Sequence, residues 1–241
     1  MLETEAENIM RVNRPTKARA VVCDLGNTEV WRQIAVNLAA ELDVGFVVYN
    51  AAYSPVGLFT SYPLEMHEHT VKVNIQSPLI TIGTFVGNMK TKGRGAIVLM
   101  SSVDGEGCSP YVANYAGTKA WTTTFAEGLW YELSPDGIDV LGVIAGLTAT
   151  SSIDRVIDPA KREALKAFES TPREVVMESL RALGRGHPTV ITGLGSRLVA
   201  WTRWFLPRRI GCNMFSMLHD IVREESELLN VANRMMKPGE K

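Results

Sequence analysis

AIVLMS, at 96–101, is the stretch that decides the fold. It is apolar at every position but the last and shows no alternation of polar and apolar residues. A run of that kind suits a strand covered on both faces, as in a parallel sheet, better than one with a wet face. Comparable runs stand on either side: ARAVVC at 18–23, GFVVYN at 45–50, IDVLGVIA at 138–145 and TVIT at 189–192. Helical spacing fills the intervals. At 29–42 the residues Ile34, Leu38, Ala39 and Leu42 share one face. The segment 63–89 reads as helical with soft breaks near Pro78, Gly83 and Gly87, and 111–133 and 159–168 read as helical too. A further helix at 172–183 has Thr171 as N-cap and Pro172 at its first position. The tail, 196–233, is helical in pieces broken at Pro207 and Gly211. Strand and helix alternating at this spacing predict an α/β fold: a doubly wound parallel sheet with helices on both faces.

Composition narrows the class. Of 241 residues, 46% are hydrophobic and 21% charged, which suits a packed globular core rather than a disordered chain. Lys+Arg 25 against Asp+Glu 26 leaves a net charge of -1, so nothing points to a nucleic-acid partner. No apolar run reaches the length of a membrane span, and the first twenty residues carry mixed charge with no apolar core, unlike a secretory signal. Cys23, Cys108 and Cys212 lie far apart without metal-ligand spacing and are expected to be reduced thiols in a cytoplasmic protein.

In sheets of this kind ligands sit beyond the C-terminal strand ends. Polar residues collect there: Asp24, Asn50, Ser101 with Ser102, and Gly146 with Thr148. Just downstream of Ser102 comes YAGTK, in which Tyr115 and Lys119 are four apart and share a helix face. A phenol of pKa about 10 is a poor proton catalyst at neutral pH. A neighbouring ammonium stabilises phenolate, so Lys119 is expected to lower the pKa of Tyr115. A hydroxyl at Ser102 could bind the same substrate oxygen. Together these groups suit reversible proton transfer to a carbonyl oxygen.

Six segments, in order, resemble the short-chain dehydrogenase/reductase family: CDLGN at 23–27, YNAA at 49–52, VNIQSP at 73–78, GAIVLMSS at 95–102, YAGTK at 115–119 and DVLGVIAGLTAT at 139–150. The resemblance implies a single Rossmann-type three-layer domain over 1–241, with a cofactor and catalytic part at 1–150, a substrate lid at 151–188, and a last strand and helical tail at 189–241. It implies an NAD- or NADP-dependent enzyme, the two not distinguished, that interconverts an alcohol and a ketone or aldehyde. By that resemblance Tyr115 is the general acid/base and Lys119 its neighbour and the donor to the nicotinamide ribose. Ser102 orients the substrate oxygen, and Asn74 holds a water of the proton relay. Asp24 and Leu25 match the pair meeting the adenine, and Asn50 with Ala51 the turn lining the cofactor. Gly146 and Thr148 match the stretch meeting the nicotinamide amide, and Thr150 a residue near the pyrophosphate. The helices at 63–89 and 111–133 match the pair through which the family forms homodimers and homotetramers. Ala52 and Ala145 depart from the pattern, standing where the family usually has Gly and Pro.

The larger departure is at the front. Family members carry a strand, a TGxxxGxG turn, a helix and a second strand ahead of the segment that matches Ala18 onward, and this sequence has none of them. In the order 3-2-1-4-5-6-7 those strands would lie between 18–23 and 45–50, so the sheet is expected to be interrupted there. Three explanations stand: a misassigned start with roughly 40–50 residues upstream, a truncated inactive product, or a rearranged sheet in which the two edges close on each other. The first is preferred. A chain beginning at Met1 is expected to bind the dinucleotide weakly or not at all. The competing class is a non-catalytic remnant acting through its helix pair. Gly193-Leu194-Gly195 reads as a turn, and His67-Glu68-His69 as a solvated helix face rather than a metal pair. Trp201, Trp204, Phe205 and Leu206, among Arg197, Arg203, Arg208 and Arg209, read as packing on the domain or bordering a substrate entrance in preference to a membrane surface. With Met214 and Met217 they favour an apolar substrate of 3-oxoacyl or hydroxysteroid type.

Overall fold

In the computed structural model, which describes residues 2–13, 15–151 and 153–216, the segment around 96–101 is a central strand. β1 (Phe46–Tyr49), β2 (Gly95–Ser102), β3 (Ile138–Ala145) and β4 (Thr189–Ile191) form one parallel sheet in the order β1-β2-β3-β4. Helices interleave with them: α1 (Leu2–Val12), α2 (Thr28–Glu41), α3 (Leu64–Val71), α4 (Ser77–Lys92), α5 (Ala113–Leu133), α6 (Ile153–Val156), α7 (Pro159–Leu165), α8 (Pro172–Ala182), α9 (Leu194–Phe205) and α10 (Arg208–Ser216). The register pairs Tyr49 with Leu99, Ser102 with Ala145 and Val143 with Val190. This aligns the C-terminal ends of β2 and β3 along one rim.

Alternation along the strands sorts the core into two layers. Val47, Tyr49, Ile97, Leu99, Ile138 and Val140 face Ala35, Ile80, Phe85, Met89 and Ala126 of α2, α4 and α5. Val98, Leu141 and Val143 face the other way, against Val175 and Ala182 of α8. The expected three-layer arrangement is therefore present. Trp31 Nε1 donates to Thr81 Oγ1 at 3.0 Å and ties α2 to α4. Thr171 and Glu174 close a capping box at the head of α8, whose first helical residue is Pro172.

Several expectations are corrected. Residues 18–23 form no strand; the backbone runs outside the sheet with Val22 79% exposed. A strand needs a ladder partner for its N–H and C=O groups, and none of the described residues supplies one. Nor does the segment close on β1, which has no outer strand neighbour among the described residues and whose outward face exposes Phe46 and Val48. The helix expected at 63–89 is not broken at Pro78, Gly83 or Gly87. It continues from α3 into α4 through a π turn at Lys72–Gln76, whose wider i→i+5 spacing just ahead of Pro78 leaves room for the missing donor. Gly83 and Gly87 face solvent, where lost propensity costs about 1 kcal/mol each without ending the helix. Gly211 lies inside α10 rather than breaking it.

The cysteines are also corrected. Cys108 and Cys212 are joined in a disulfide with their Cα atoms 5.3 Å apart, across a sequence separation of 104. Distance along the chain did not predict distance in space, because α10 returns to the loop that follows β2. Cys23 is free. Of the turn expected at Gly193-Leu194-Gly195, only Gly193, with φ +79, lies outside a helix; Leu194 and Gly195 open α9. The rest of the tail, including Met217, and the side chains of Arg203, Trp204 and Met214 lie outside the described residues.

Candidate active site

Ser102 is the last residue of β2, and its hydroxyl is held at once by the chain that follows. Its Oγ accepts from the Asp104 amide at 3.2 Å and donates to Asp104 Oδ2 at 3.1 Å. This opens a 3-10 turn at Val103–Glu106 that lies against α5. Gly105 makes that approach feasible, since a Cβ there would stand 2.6 Å from the backbone of Lys119 and Ala120. One residue earlier, Ser101 Oγ donates to the Lys119 carbonyl at 2.8 Å and meets Thr123 Oγ1 at 2.8 Å, locking α5 onto β2.

The helical spacing of Tyr115 and Lys119 then brings both to the Ser102 rim. Lys119 is buried, its Nζ donating to the Met100 carbonyl at 2.7 Å and lying 5.5 Å from the centre of the Tyr115 ring. Burial pulls the Lys119 amine down to about 8, while the negative charge of Asp104 works in the opposite sense. Burial pushes the Tyr115 phenol well above its ordinary value; Asp104 adds to the rise, and a hydrogen bond with Ser102 pulls it partway back. The expected lowering by Lys119 is therefore corrected. The ammonium sits over the ring face and spends a proton on a backbone carbonyl, while the carboxylate of Asp104 opposes phenolate formation.

Asn74 lies in the π turn, a local geometry that often marks functional positions. Its Oδ1 accepts from the Tyr53 amide at 2.8 Å, and its Nδ2 donates to the Tyr53 carbonyl at 3.0 Å and to Thr118 Oγ1 at 2.9 Å. Thr118 Oγ1 donates in turn to the Tyr115 carbonyl at 2.7 Å. Asn74 thus braces the helix of Tyr115, and its side chain is engaged with protein groups.

The other sequence-derived residues lie around this cluster without bonding to it. Asp24 is exposed and its carboxylate accepts from the Gly26 amide at 2.8 Å, while Asn27 caps α2. Leu25 is half-buried and its carbonyl accepts from Ser77 Oγ at 2.6 Å. Asn50 is exposed just past β1 and Ala51 half-buried beside it. Gly146 passes so close to Ser196 that a Cβ would collide with its hydroxyl. Thr148 donates to the Gly146 carbonyl at 3.0 Å and bridges to Ser170, while the Thr150 carbonyl accepts from the Ile153 amide at 3.1 Å.

Two neighbours escaped the sequence reading. Asp104 is one; the Ser-x-Asp spacing after a strand is the signal that would have found it, because such a pair closes a local turn. His67 is the other, and the solvated face expected of it is corrected. It is 7% exposed, stacked on Phe59 at 4.1 Å, with Nε2 donating to the Phe59 carbonyl at 2.9 Å. Its burial comes from the loop after β1 folding back over α3. Pro55, Phe59, Tyr62, His67 and Tyr111 line a small aromatic cleft that ends at Tyr115. Tyr111 holds φ at +67, and its carbonyl accepts from the Gly57 amide at 2.8 Å, so the two walls of the cleft are linked.

Chemically, the rim offers a phenol, a hydroxyl and a buried ammonium. Met100 takes one of the three ammonium protons, and a vicinal diol such as that of a ribose is a fitting acceptor for the others. The donor set therefore fits the sugar end of a dinucleotide.

The family model described as short chain dehydrogenase matches residues 2–160. A 7beta-hydroxysteroid dehydrogenase of Clostridium sardiniense is 28% identical over 152 residues, covering 62% of this chain and 57% of that protein. A very-long-chain 3-oxoacyl-CoA reductase of Podospora anserina is 31% identical over 159 residues, covering 63% of this chain and 46% of that protein. The chain thus spans about half the length of these curated relatives. Among solved structures, one from a study of 7beta-hydroxysteroid dehydrogenase stereoselectivity superposes with a TM-score of 0.80 at 24% identity, covering 89% of this chain and 83% of that one.

Proposed function

Because the chain belongs to the short chain dehydrogenase family, we propose that it interconverts an alcohol and a ketone or aldehyde, with NAD or NADP as the redox partner. The observation that carries this reading is the convergence of Ser102, Tyr115 and Lys119 at one rim of the sheet. A nicotinamide held there by Lys119 would supply or receive the hydride. Tyr115 gives its proton to the carbonyl oxygen in reduction and takes it back in oxidation. Ser102 holds the same oxygen, and Lys119 binds the ribose hydroxyls with its remaining protons. Asn74 keeps the helix of Tyr115 in place. Asn50, Ala51, Gly146, Thr148 and Thr150, past the strand ends, and Asp24 and Leu25, in the loop ahead of α2, would line the path of the dinucleotide.

The aromatic cleft supports an apolar substrate, and the names of the curated relatives support a hydroxysteroid or a 3-oxoacyl compound within that class. Of 151–188, the part ahead of α8 would act as its lid, since α8 itself packs on the sheet. Self-association runs through the outer surfaces of α4 and α5, where Leu79 and Tyr131 are exposed. No described helix is long and apolar enough to cross a membrane.

Nucleotide and steroid-ketone titrations followed at 340 nm test the reading. A saturable, ketone-dependent change in absorbance is the expected result. Tyr115→Phe should cut turnover by about 10²–10⁴ while leaving nucleotide affinity within twofold. A variant that keeps its rate removes Tyr115 from the role. Wild-type protein that neither binds nor oxidises nucleotide would select the non-catalytic reading.

A further inference from the structure

We infer that Asp104 is a positioning residue of this site, whose carboxylate decides where the single proton of the Ser102 hydroxyl lies. The inference rests on the reading of Ser102, Tyr115 and Lys119 given above.

The geometry is specific. Asp104 stands two residues past Ser102 and receives its hydroxyl proton at Oδ2, 3.1 Å away, while the Asp104 amide donates back to Ser102 Oγ at 3.2 Å. The other carboxylate oxygen, Oδ1, accepts from Ser109 Oγ at 3.0 Å, and Ser109 Oγ also reaches the Asp104 carbonyl at 3.2 Å. Both oxygens are therefore committed, and the carboxylate cannot turn away from Ser102 without releasing Ser109. An ionised carboxylate only accepts. The Ser102 proton consequently lies on the Asp104 bond, and the side of Ser102 that meets Tyr115 presents a lone pair.

That assignment has a chemical consequence. A neutral phenol can donate into the lone pair, whereas a phenolate needs the Ser102 proton for itself. Forming phenolate thus requires taking the proton from Asp104 and tolerating a second negative charge nearby. The titratable groups on the elements packed about Tyr115 are Lys119 on its own helix, Asp104 and Glu106 on the 3-10 turn, and His67 and Tyr111, which line the same cleft. Glu106 accepts from Thr123 at 3.4 Å, and His67 is tied to Phe59. Asp104 is the anion that couples to both Tyr115 and Lys119, raising the proton affinity of each. It therefore holds the site in the doubly protonated state, phenol with ammonium, that accepts a carbonyl compound. An ordinary loop cap would need only an acceptor of the right shape, so the amide variant separates the two roles.

The test uses the full chain carrying [ε-13C]lysine, with the Lys119 resonance assigned by its loss in Lys119→Arg and followed from pH 6 to 11. In Asp104→Asn, which keeps size and one acceptor oxygen, the Lys119 midpoint is expected to fall by roughly half a unit to one unit. Asp104→Glu restores the charge and should return most of the shift. Ser109→Ala, which frees the carboxylate without removing it, should give a smaller fall. In the kinetic arm, the pH midpoint of alcohol oxidation moves lower in Asp104→Asn by a comparable amount. A Lys119 midpoint that is the same in wild type and Asp104→Asn, both showing native near-UV dichroism, overturns the inference whether or not the protein turns over. A shifted midpoint in protein that lacks all turnover supports the positioning role and counts against the oxidoreductase reading alone.

Discussion

Single residues set the proton balance of the site. Lys119 is buried and its amine is pulled down to about 8, against roughly 10.4 in an unfolded chain. Between those values the unfolded state binds more protons than the folded one, so stability from this group rises with pH across that window. Below it, the buried charge is a standing penalty of order 3 kcal/mol, relieved as pH climbs. Tyr115 acts in the opposite sense at higher pH, because a phenol raised above its ordinary value loses stability once unfolded tyrosine begins to ionise near pH 10. Urea midpoints of wild type and Lys119→Met, compared from pH 7 to 10, should therefore converge as the pH rises. A constant difference would show that the amine is not desolvated. At Gly105 the prediction is steric: Gly105→Ala forces a methyl against the Lys119 backbone, and a loss of about 2–3 kcal/mol is expected in the same urea assay. Ser102, Tyr115 and Lys119 were legible because their spacing has a direct geometric meaning. Asp104 and His67 were not, since the significance of each depends on a loop folding back, and loop closure leaves no periodic trace in sequence.

Elements with buried faces declared themselves plainly. β2 and β3 are read almost to the residue from continuous apolar runs, and α8 from its cap and proline. The 18–23 run has the same composition and yet forms no strand, because apolar β-branched residues supply faces whereas strand formation also needs a neighbouring backbone. The long helix from α3 to α4 was misread as broken, since a π turn has no compositional signature. That turn carries Asn74, whose amide satisfies both backbone groups of Tyr53 and reaches α5 through Thr118. Asn74→Ala should thus strip partners from a buried loop as well as from a helix. A destabilisation of about 2–4 kcal/mol is expected by thermal or urea unfolding, together with increased amide exchange at Tyr53.

At the scale of the whole molecule, the sheet is covered on both faces near β3 but bare on one face at β1, where Phe46 and Val48 meet solvent. The covalent link between Cys108 and Cys212 works at the same scale, joining the loop beyond the Ser102 rim to α10. On the chain-entropy account, closing a loop of this length limits the unfolded ensemble by about 4–5 kcal/mol. Thermal midpoints of the oxidised protein, the dithiothreitol-treated protein and Cys212→Ser should accordingly fall into one high and two matching low values. No residue pattern announced this pair, because three widely spaced cysteines carry no information about which of them meet. The link also makes the polypeptide a lariat rather than a thread. A machine that degrades proteins by pulling them through a narrow pore from the C-terminus would draw in the residues beyond Cys212, then have to admit several strands abreast at the link. Force applied to the chain ends would release correspondingly less length than an open chain yields, until a reductant cuts the ring.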